Sequence, residues 1–136
     1  MTIVFMRPSR RPNKGFHLQA KDCALKAAHY ALEKKGLDLR LLEISELSSL
    51  TDYLLIVTGR SDRQVQAIAE AIRLGLKEEH ALLPLAIEGM SEGRWVLLDY
   101  GEVMVHVFQE SVRQFYDLEG LWSDAPDVPV AGANAE

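Results

Sequence analysis

The chain has 136 residues, with 48% hydrophobic side chains, 26% charged side chains and a formal net charge of −5. This length fits one globular domain, and no apolar run approaches the roughly 18 residues that a membrane-spanning helix needs. The single cysteine, Cys23, excludes an internal disulfide, no Cys/His spacing indicates a metal site, and the acidic balance disfavours DNA as a partner.

The two ends of the chain differ in composition from the middle. Residues 1–14 carry four basic side chains and no acidic ones, which leaves three interpretations open: a disordered tail, which we favour, an arm that touches RNA, or the remnant of an organellar targeting sequence. Residues 124–136 are rich in Ala, Pro, Asp and Gly and also predict a disordered tail. The sequence thus predicts one folded domain over residues 15–123.

The first part of that domain is predicted to contain two helices and three strands. In chain order they are a helix, two strands, a helix and a strand, over residues 16–35, 39–44, 53–57, 61–79 and 83–87. Gly36 is expected to end the first helix in a left-handed conformation. Ser61 and Gln64 have the spacing of a capping box at the start of the second helix. Pro84 has no amide hydrogen, so its strand fits the edge of a sheet.

Two further β-rich runs, 95–100 and 103–108, are separated only by Gly101 and Glu102, the length and composition of a tight hairpin turn. With that turn Tyr100 pairs with Val103, and the rest of the register follows. One face of the hairpin then carries Val96, Leu98, Tyr100, Val103, Val105 and Val107. The opposite face carries Trp95, Leu97, Asp99, Met104, His106 and Phe108.

A last helix is predicted after the hairpin. Ser111 and Gln114 again have the spacing of a capping box. Four apolar residues are expected along one side of this helix: Val112, Phe115, Leu118 and Trp122. The element order is then α-β-β-α-β-β-β-α. Because the hairpin is antiparallel and the strand-helix-strand unit favours a parallel pair, we expect an α/β domain with a mixed five-stranded sheet and three helices.

One segment resembles a catalytic motif, namely Thr58-Gly59-Arg60-Ser61 at a strand-to-helix junction, where backbone amides can hold a phosphate. It lacks the Gly-Lys-Ser/Thr end of a P-loop and the spaced glycines of a dinucleotide site, so a turn followed by a helix cap is favoured. No strand offers the Asp-x-Asp pair that holds metal ions in nucleotide transfer, and the four histidines show no metal-ligand spacing. We therefore expect no catalytic residues, no metal and no cofactor.

Two residues of the hairpin invite a functional interpretation. His106 lies diagonally between Trp95 and Asp99 in the predicted register, and a structural hydrogen bond between His106 and Asp99 is favoured over general-base catalysis because no nucleophile is placed beside them. Trp95 follows a polar, Gly-rich loop. It is either an interface anchor or a core residue under a helix, and composition leaves both interpretations open.

A set of motifs over residues 16–123 follows the order and spacing of one known family. The motifs are Thr51-Asp52-Tyr53, Thr58-Gly59-Arg60-Ser61-Asp62-Arg63, Glu88-Gly89, Gly93-Arg94-Trp95, Asp99-Tyr100-Gly101-Glu102-Val103, Val105-His106-Val107-Phe108, Arg113, Phe115-Tyr116, Leu118-Glu119 and Leu121-Trp122. Together they resemble the ribosomal silencing factor family, also called Iojap. The resemblance implies a nucleotidyltransferase-like fold without the catalytic acids, and hence no enzyme.

The resemblance also implies a function and a place of action. A bacterial cytoplasmic protein of this kind binds the large ribosomal subunit through its universal protein number fourteen, blocks association with the small subunit and so represses translation, with a link to large-subunit maturation. An organellar origin is not expected. Its docking surface would include Trp95, Leu98, Asp99, Tyr100 and Val103, with Glu88 and Arg94 at the rim. Because Trp95 and Tyr100 face opposite ways, this surface would need a protruding hairpin end or an exposed edge.

Alternatives to this function stay open. A residual nucleotide-binding or nucleotidyltransferase-like enzyme would use Gly59, Ser61 and Asp99, and a homodimer would make the domain a scaffold. Residues 1–14 could also touch ribosomal RNA. Gln64 departs from the His that is usual in the family, which puts any role of that position in doubt.

Overall fold

The structure is a computed structural model that describes residues 18–133. Its elements are α1 (Ala20–Glu33), β1 (Leu37–Glu43), β2 (Tyr53–Gly59), α2 (Asp62–His80), β3 (Ala86–Glu88), β4 (Trp95–Asp99), β5 (Val103–Gln109), α3 (Glu110–Tyr116) and a 3₁₀ helix, Leu118–Trp122. The predicted order of helices and strands and the α/β class are confirmed. No helix within 18–133 is long and apolar enough to cross a membrane.

The five strands form one mixed sheet in the order β1-β2-β5-β4-β3, in which only β2 and β5 run parallel. The predicted hairpin register is confirmed: Trp95 lies opposite Phe108, and the Tyr100 amide donates to the Val103 carbonyl over 2.9 Å. The strand after Pro84 is an edge strand, as expected, although it is shorter than predicted.

The two faces of the sheet are covered differently. α1 and α2 pack on one face and bury a large apolar cluster that includes Leu55, Val57, Val96, Leu98, Val105 and Val107. The second face has a smaller cluster of Leu42, Ile44, Leu54, Ile56, Phe108 and Ala125, against which α3 and the 3₁₀ helix pack. Because α3 packs against β2 and β5, the second face is left open toward β4 and β3.

The end of α1 differs from the prediction. Lys35, with φ 64°, takes the left-handed conformation that was assigned to Gly36. Gly36 is needed for a different reason, because a Cβ atom there would lie 2.6 Å from Val57 Cγ2. Close packing of the chain against β2 therefore requires the glycine. Phe16 and His17, which the predicted helix and domain included, lie outside the described residues, as does the basic arm 1–14.

The last helix is shorter than predicted and starts earlier. α3 begins at Glu110, and its N-cap residue Gln109 makes no side-chain capping bond, so the second predicted capping box is wrong. Asp117, with φ 46°, ends the helix after seven residues and turns the chain into the 3₁₀ helix. Phe115 therefore does not share a buried side with Val112 and is 79% exposed.

Residues 124–133, which were predicted to belong to a disordered tail, instead pack on the sheet. The Glu43 amide donates to the Pro126 carbonyl over 3.0 Å, and the Val128 amide donates to the Leu41 carbonyl over 2.7 Å. Asp127 also pairs with Arg40. Residues 124–133 thus cover the outer edge of β1, and the ordered domain extends past the predicted boundary at 123.

Candidate functional site

The uncovered part of the second sheet face, called the open face below, is the candidate site. Strand alternation places Trp95, Leu97 and Asp99 on this face, and the pairing of Glu88 with Leu97 adds Glu88. Met104, opposite Asp99, completes it. Glu88 is exposed and the other four side chains are half-buried. The open face therefore presents apolar side chains bordered by two carboxylates.

Trp95 stands at the centre of an aromatic cluster. Its ring centroid lies 4.8 Å from that of Phe108 and 4.9 Å from that of Tyr116. Its Nε1–H donates to His106 Nδ1 over 2.9 Å. Trp95 lines two shallow depressions, one together with Glu88, Gly89 and Leu97, and one together with Gly89, Glu92, Arg94, Val112 and Tyr116.

His106 is held in the neutral form beneath this cluster. It is 8% exposed, and burial lowers its pKa from 6.5 to about 4. Because Nδ1 accepts the indole hydrogen, the remaining ring proton is on Nε2. The predicted hydrogen bond to Asp99 is thus corrected: His106 bonds to Trp95, and Asp99 Oδ1 accepts from the Gly101 amide over 2.8 Å in the adjacent turn.

Three of the predicted docking residues do not reach the surface. Leu98, Tyr100 and Val103 are 0%, 3% and 1% exposed, on the face that α1 and α2 cover. They cannot contact a partner of the folded domain, and their inclusion in the docking surface is corrected. The remaining four are accessible: Trp95, Asp99 and Glu88 on the open face, and Arg94 at its end.

The hairpin also lacks an exposed edge, which was one of the two arrangements expected from the sequence, the other being a protruding hairpin end. β5 pairs with β2 on one side, and β4 pairs with β3 on the other. The accessible feature is therefore a sheet face. Leu97 and Tyr116 belong to this surface and were absent from the predicted site. Alternation along β4 already placed Leu97 beside Trp95, whereas Tyr116 depends on how α3 crosses the sheet.

The β2-to-α2 junction does not form a phosphate site together with Asp99. The Arg60 amide donates to Gln64 Oε1, and the Ser61 hydroxyl accepts from the Gln64 amide over 3.1 Å, which confirms that Ser61 caps α2. A Cβ atom at Gly59 would lie 2.8 Å from the Val65 amide nitrogen, so backbone fills the space above it.

The sheet also separates the three residues of the alternative nucleotide site. Gly59 pairs with Gln109 at one end of β5, and Ser61 follows it two residues later. Asp99 pairs with Met104 near the other end of β5. Gln64 has a structural role, since its Nε2 donates to the carbonyls of Lys34 and Lys35 after α1. Among residues 18–133, no group of three or more His, Cys, Asp or Glu side chains could hold a metal ion.

Fold and site together define an α/β domain whose distinctive surface is an aromatic, uncovered sheet face. The model of the family described as "Ribosomal silencing factor during starvation" matches residues 17–136. The chain is 45% identical over 94 residues to the ribosomal silencing factor of Bacillus subtilis, covering 69% of this chain and 79% of that protein. It is 40% identical over 100 residues to the ribosomal silencing factor of Halalkalibacterium halodurans, covering 74% and 85%.

A solved structure gives the same result for the fold. A crystal structure of a Chromobacterium violaceum protein superimposes with a TM-score of 0.76 at 34% identity, covering 88% of this chain and 98% of that one. The chain belongs to the ribosomal silencing factor family.

Proposed function

We propose that this chain binds the large ribosomal subunit through its universal protein number fourteen and thereby blocks association with the small subunit, repressing translation. The open face carries the contact. Membership of the silencing factor family supports a role on the ribosome. The observation that supports this site is the half-buried Trp95, which lines two shallow depressions.

The composition of the open face suits a protein partner. Trp95, Tyr116 and Leu97 supply an apolar centre, and large aromatic residues are enriched where interfaces gain most of their binding energy. Glu88, Asp99 and Arg94 form a polar rim with both signs of charge. Rim charges steer association and are screened by salt, so binding should weaken as ionic strength rises.

Occlusion of a joining surface requires no chemistry, and the domain is proposed to act without catalysis in the bacterial cytoplasm. Two features of the described residues support this. At the start of α2 the Arg60 amide already donates to Gln64 and the Gln64 amide to Ser61, and Asp99 is engaged with the Gly101 amide far from that helix. A role in large-subunit maturation would use the same contact.

Co-sedimentation with purified large subunits tests the docking surface. A Trp95→Ala, Leu97→Asp variant should lose affinity by at least about tenfold, because it removes the aromatic anchor and places a carboxylate in the apolar centre. The matched control is Leu50→Asp, which changes an equally apolar residue that is 74% exposed in the β1–β2 loop. Equal binding by the wild type and the double variant would reject the open face.

The proposed mechanism has its own test. Light scattering of mixed subunits should show that the wild-type domain slows their association, and isolated protein number fourteen should compete for the domain. Association at the normal rate with saturating domain would contradict the blocking function. Two further contacts are also testable. Deletion of residues 1–14 shows whether this arm adds to large-subunit binding by touching ribosomal RNA. Light scattering of the free domain shows whether it forms a homodimer.

A further inference from the structure

The hydrogen bond beneath Trp95 raises the question of what sets the orientation of the indole. Trp95 is half-buried, and its only polar side-chain atom, Nε1, donates to a histidine that is 8% exposed. A buried indole N–H requires an acceptor. With the N–H turned inward, the part of the side chain that reaches solvent is hydrocarbon.

The surrounding rings restrict the indole but leave its rotation undetermined. Phe108 and Tyr116 contact Trp95 through aromatic carbon, with interplanar angles of 33° and 45°. Such contacts tolerate several orientations, whereas a hydrogen bond from one atom has a direction. His106 is itself fixed, because it lies in the middle of β5 and its ring is stacked on Phe108 at 13°.

We propose that His106 is a positioning residue for the docking surface: its Nδ1 fixes the Trp95 indole in the orientation that the ribosomal partner meets. This inference rests on the proposed function, which supplies the partner. A side chain that is ordered before binding loses less conformational entropy on association. Removal of the acceptor should therefore weaken binding although His106 does not touch the partner.

Substitutions at 106 separate positioning from packing. His106→Asn places an amide oxygen near the position of Nδ1 and keeps the acceptor, whereas His106→Leu keeps apolar volume and removes it. The loss of a preordered side chain predicts about fivefold to tenfold weaker binding to large subunits for His106→Leu. His106→Asn should bind nearly as the wild type does.

Nuclear magnetic resonance of the free domain gives a direct readout of the indole. The chain has two tryptophans, so a Trp122→Phe variant assigns the Trp95 Nε1–H resonance. In His106→Leu this resonance should move and its exchange with water should accelerate, while His106→Asn should retain both values. Circular dichroism and thermal unfolding verify that each variant is folded.

Several results would overturn the proposal. These are wild-type affinity in a folded His106→Leu variant, or equal losses in His106→Leu and His106→Asn. If His106→Leu does not fold, His106→Gln takes its place, because its acceptor is displaced from the Nδ1 position; identical indole spectra for the Asn and Gln variants would then reject the idea. If the wild-type domain fails to bind large subunits, the proposed function is wrong, and the spectra still decide whether His106 orients Trp95.

Discussion

Leu97 and Leu98 are neighbours in β4, but they lie on opposite faces of the sheet. Leu98 is fully buried under the helices, whereas Leu97 is half-buried on the open face beside Trp95. A single strand therefore contributes alternately to the core and to the candidate interface. Stability and recognition are separated by one residue along the chain, which allows each to be altered without the other.

The largest expected effect is on the covered face. Leu98→Ala removes a fully buried side chain and should lower the free energy of unfolding by about 4 kcal/mol, whereas Leu97→Ala should cost less than about 1 kcal/mol. Urea unfolding measures both. The two variants should rank in the opposite order for large-subunit binding. Leu97→Ala should weaken binding, whereas Leu98→Ala should leave the affinity of the folded fraction unchanged. Similar losses of stability for the two variants would refute the separation.

The next effect concerns pH and the layer beneath the open face. Because burial lowers the pKa of His106 from 6.5 to about 4, the unfolded chain takes up this proton at higher pH than the folded domain. The neutral, buried His106 therefore contributes about 3 kcal/mol to the free energy of unfolding above pH 6.5, and this contribution is lost as the pH falls toward 4. In urea unfolding experiments from pH 7 to 4, the free energy of unfolding should fall more steeply with decreasing pH for the wild type than for His106→Leu. Parallel curves would show that His106 is not buried in the neutral form.

A smaller effect is expected where α3 borders the open face. Arg113, 8% exposed, donates to Thr58 Oγ1 over 2.7 Å and to Glu119 Oε2 over 2.8 Å. Burial alone would raise the pKa of Glu119, but the hydrogen bonds from Arg113 outweigh it and lower that pKa. Arg113→Ala should cost about 2 kcal/mol by leaving Glu119 and Thr58 without this donor.

A double variant controls for this interpretation. Once Arg113 is replaced by Ala, adding Glu119→Gln should cost little further stability, because the ion pair is already lost. Thermal unfolding of the four proteins completes the cycle. Additive losses would show that Arg113 and Glu119 do not act as a pair.

The smallest effect on stability should come from the exposed end of α3. Phe115 is 79% exposed and lies edge-on to Tyr116. Phe115→Ser should change the free energy of unfolding by no more than about 0.5 kcal/mol. Its effect on large-subunit binding then measures how far the interface extends past Tyr116. A substantial loss of stability would mean that this ring belongs to the core.

Local patterns predicted much of this fold. The Gly101-Glu102 turn and the two-residue period of strands were sufficient for the hairpin register, and Ser61 marked the start of α2. The edge position of the strand after Pro84 was expected from the missing amide hydrogen. In each case residues that are close in sequence determine the local structure, so the sequence pattern was sufficient to predict it.

The errors arose where distant contacts decide. Tyr100 was assigned to the docking surface by the family resemblance, and the hairpin pattern alone does not reveal that the helices cover the face on which it lies. The hydrogen bonds of Arg113 to Thr58 and Glu119 were not predicted, because Thr58 lies 55 residues away along the chain. The composition of residues 124–133 resembles a disordered tail, yet the free edge of β1 provides hydrogen-bond partners for it.

The parallel pairing of β2 with β5 has a consequence for synthesis of the protein. Tyr53 pairs with Val103, so about 50 residues must be made after β2 begins before its second neighbour can join. In the nascent chain, Leu54 and Ile56 therefore wait on a strand that has only β1 beside it. Folding through so distant a pairing is slow, and this interval is when the chain is most exposed to misassociation.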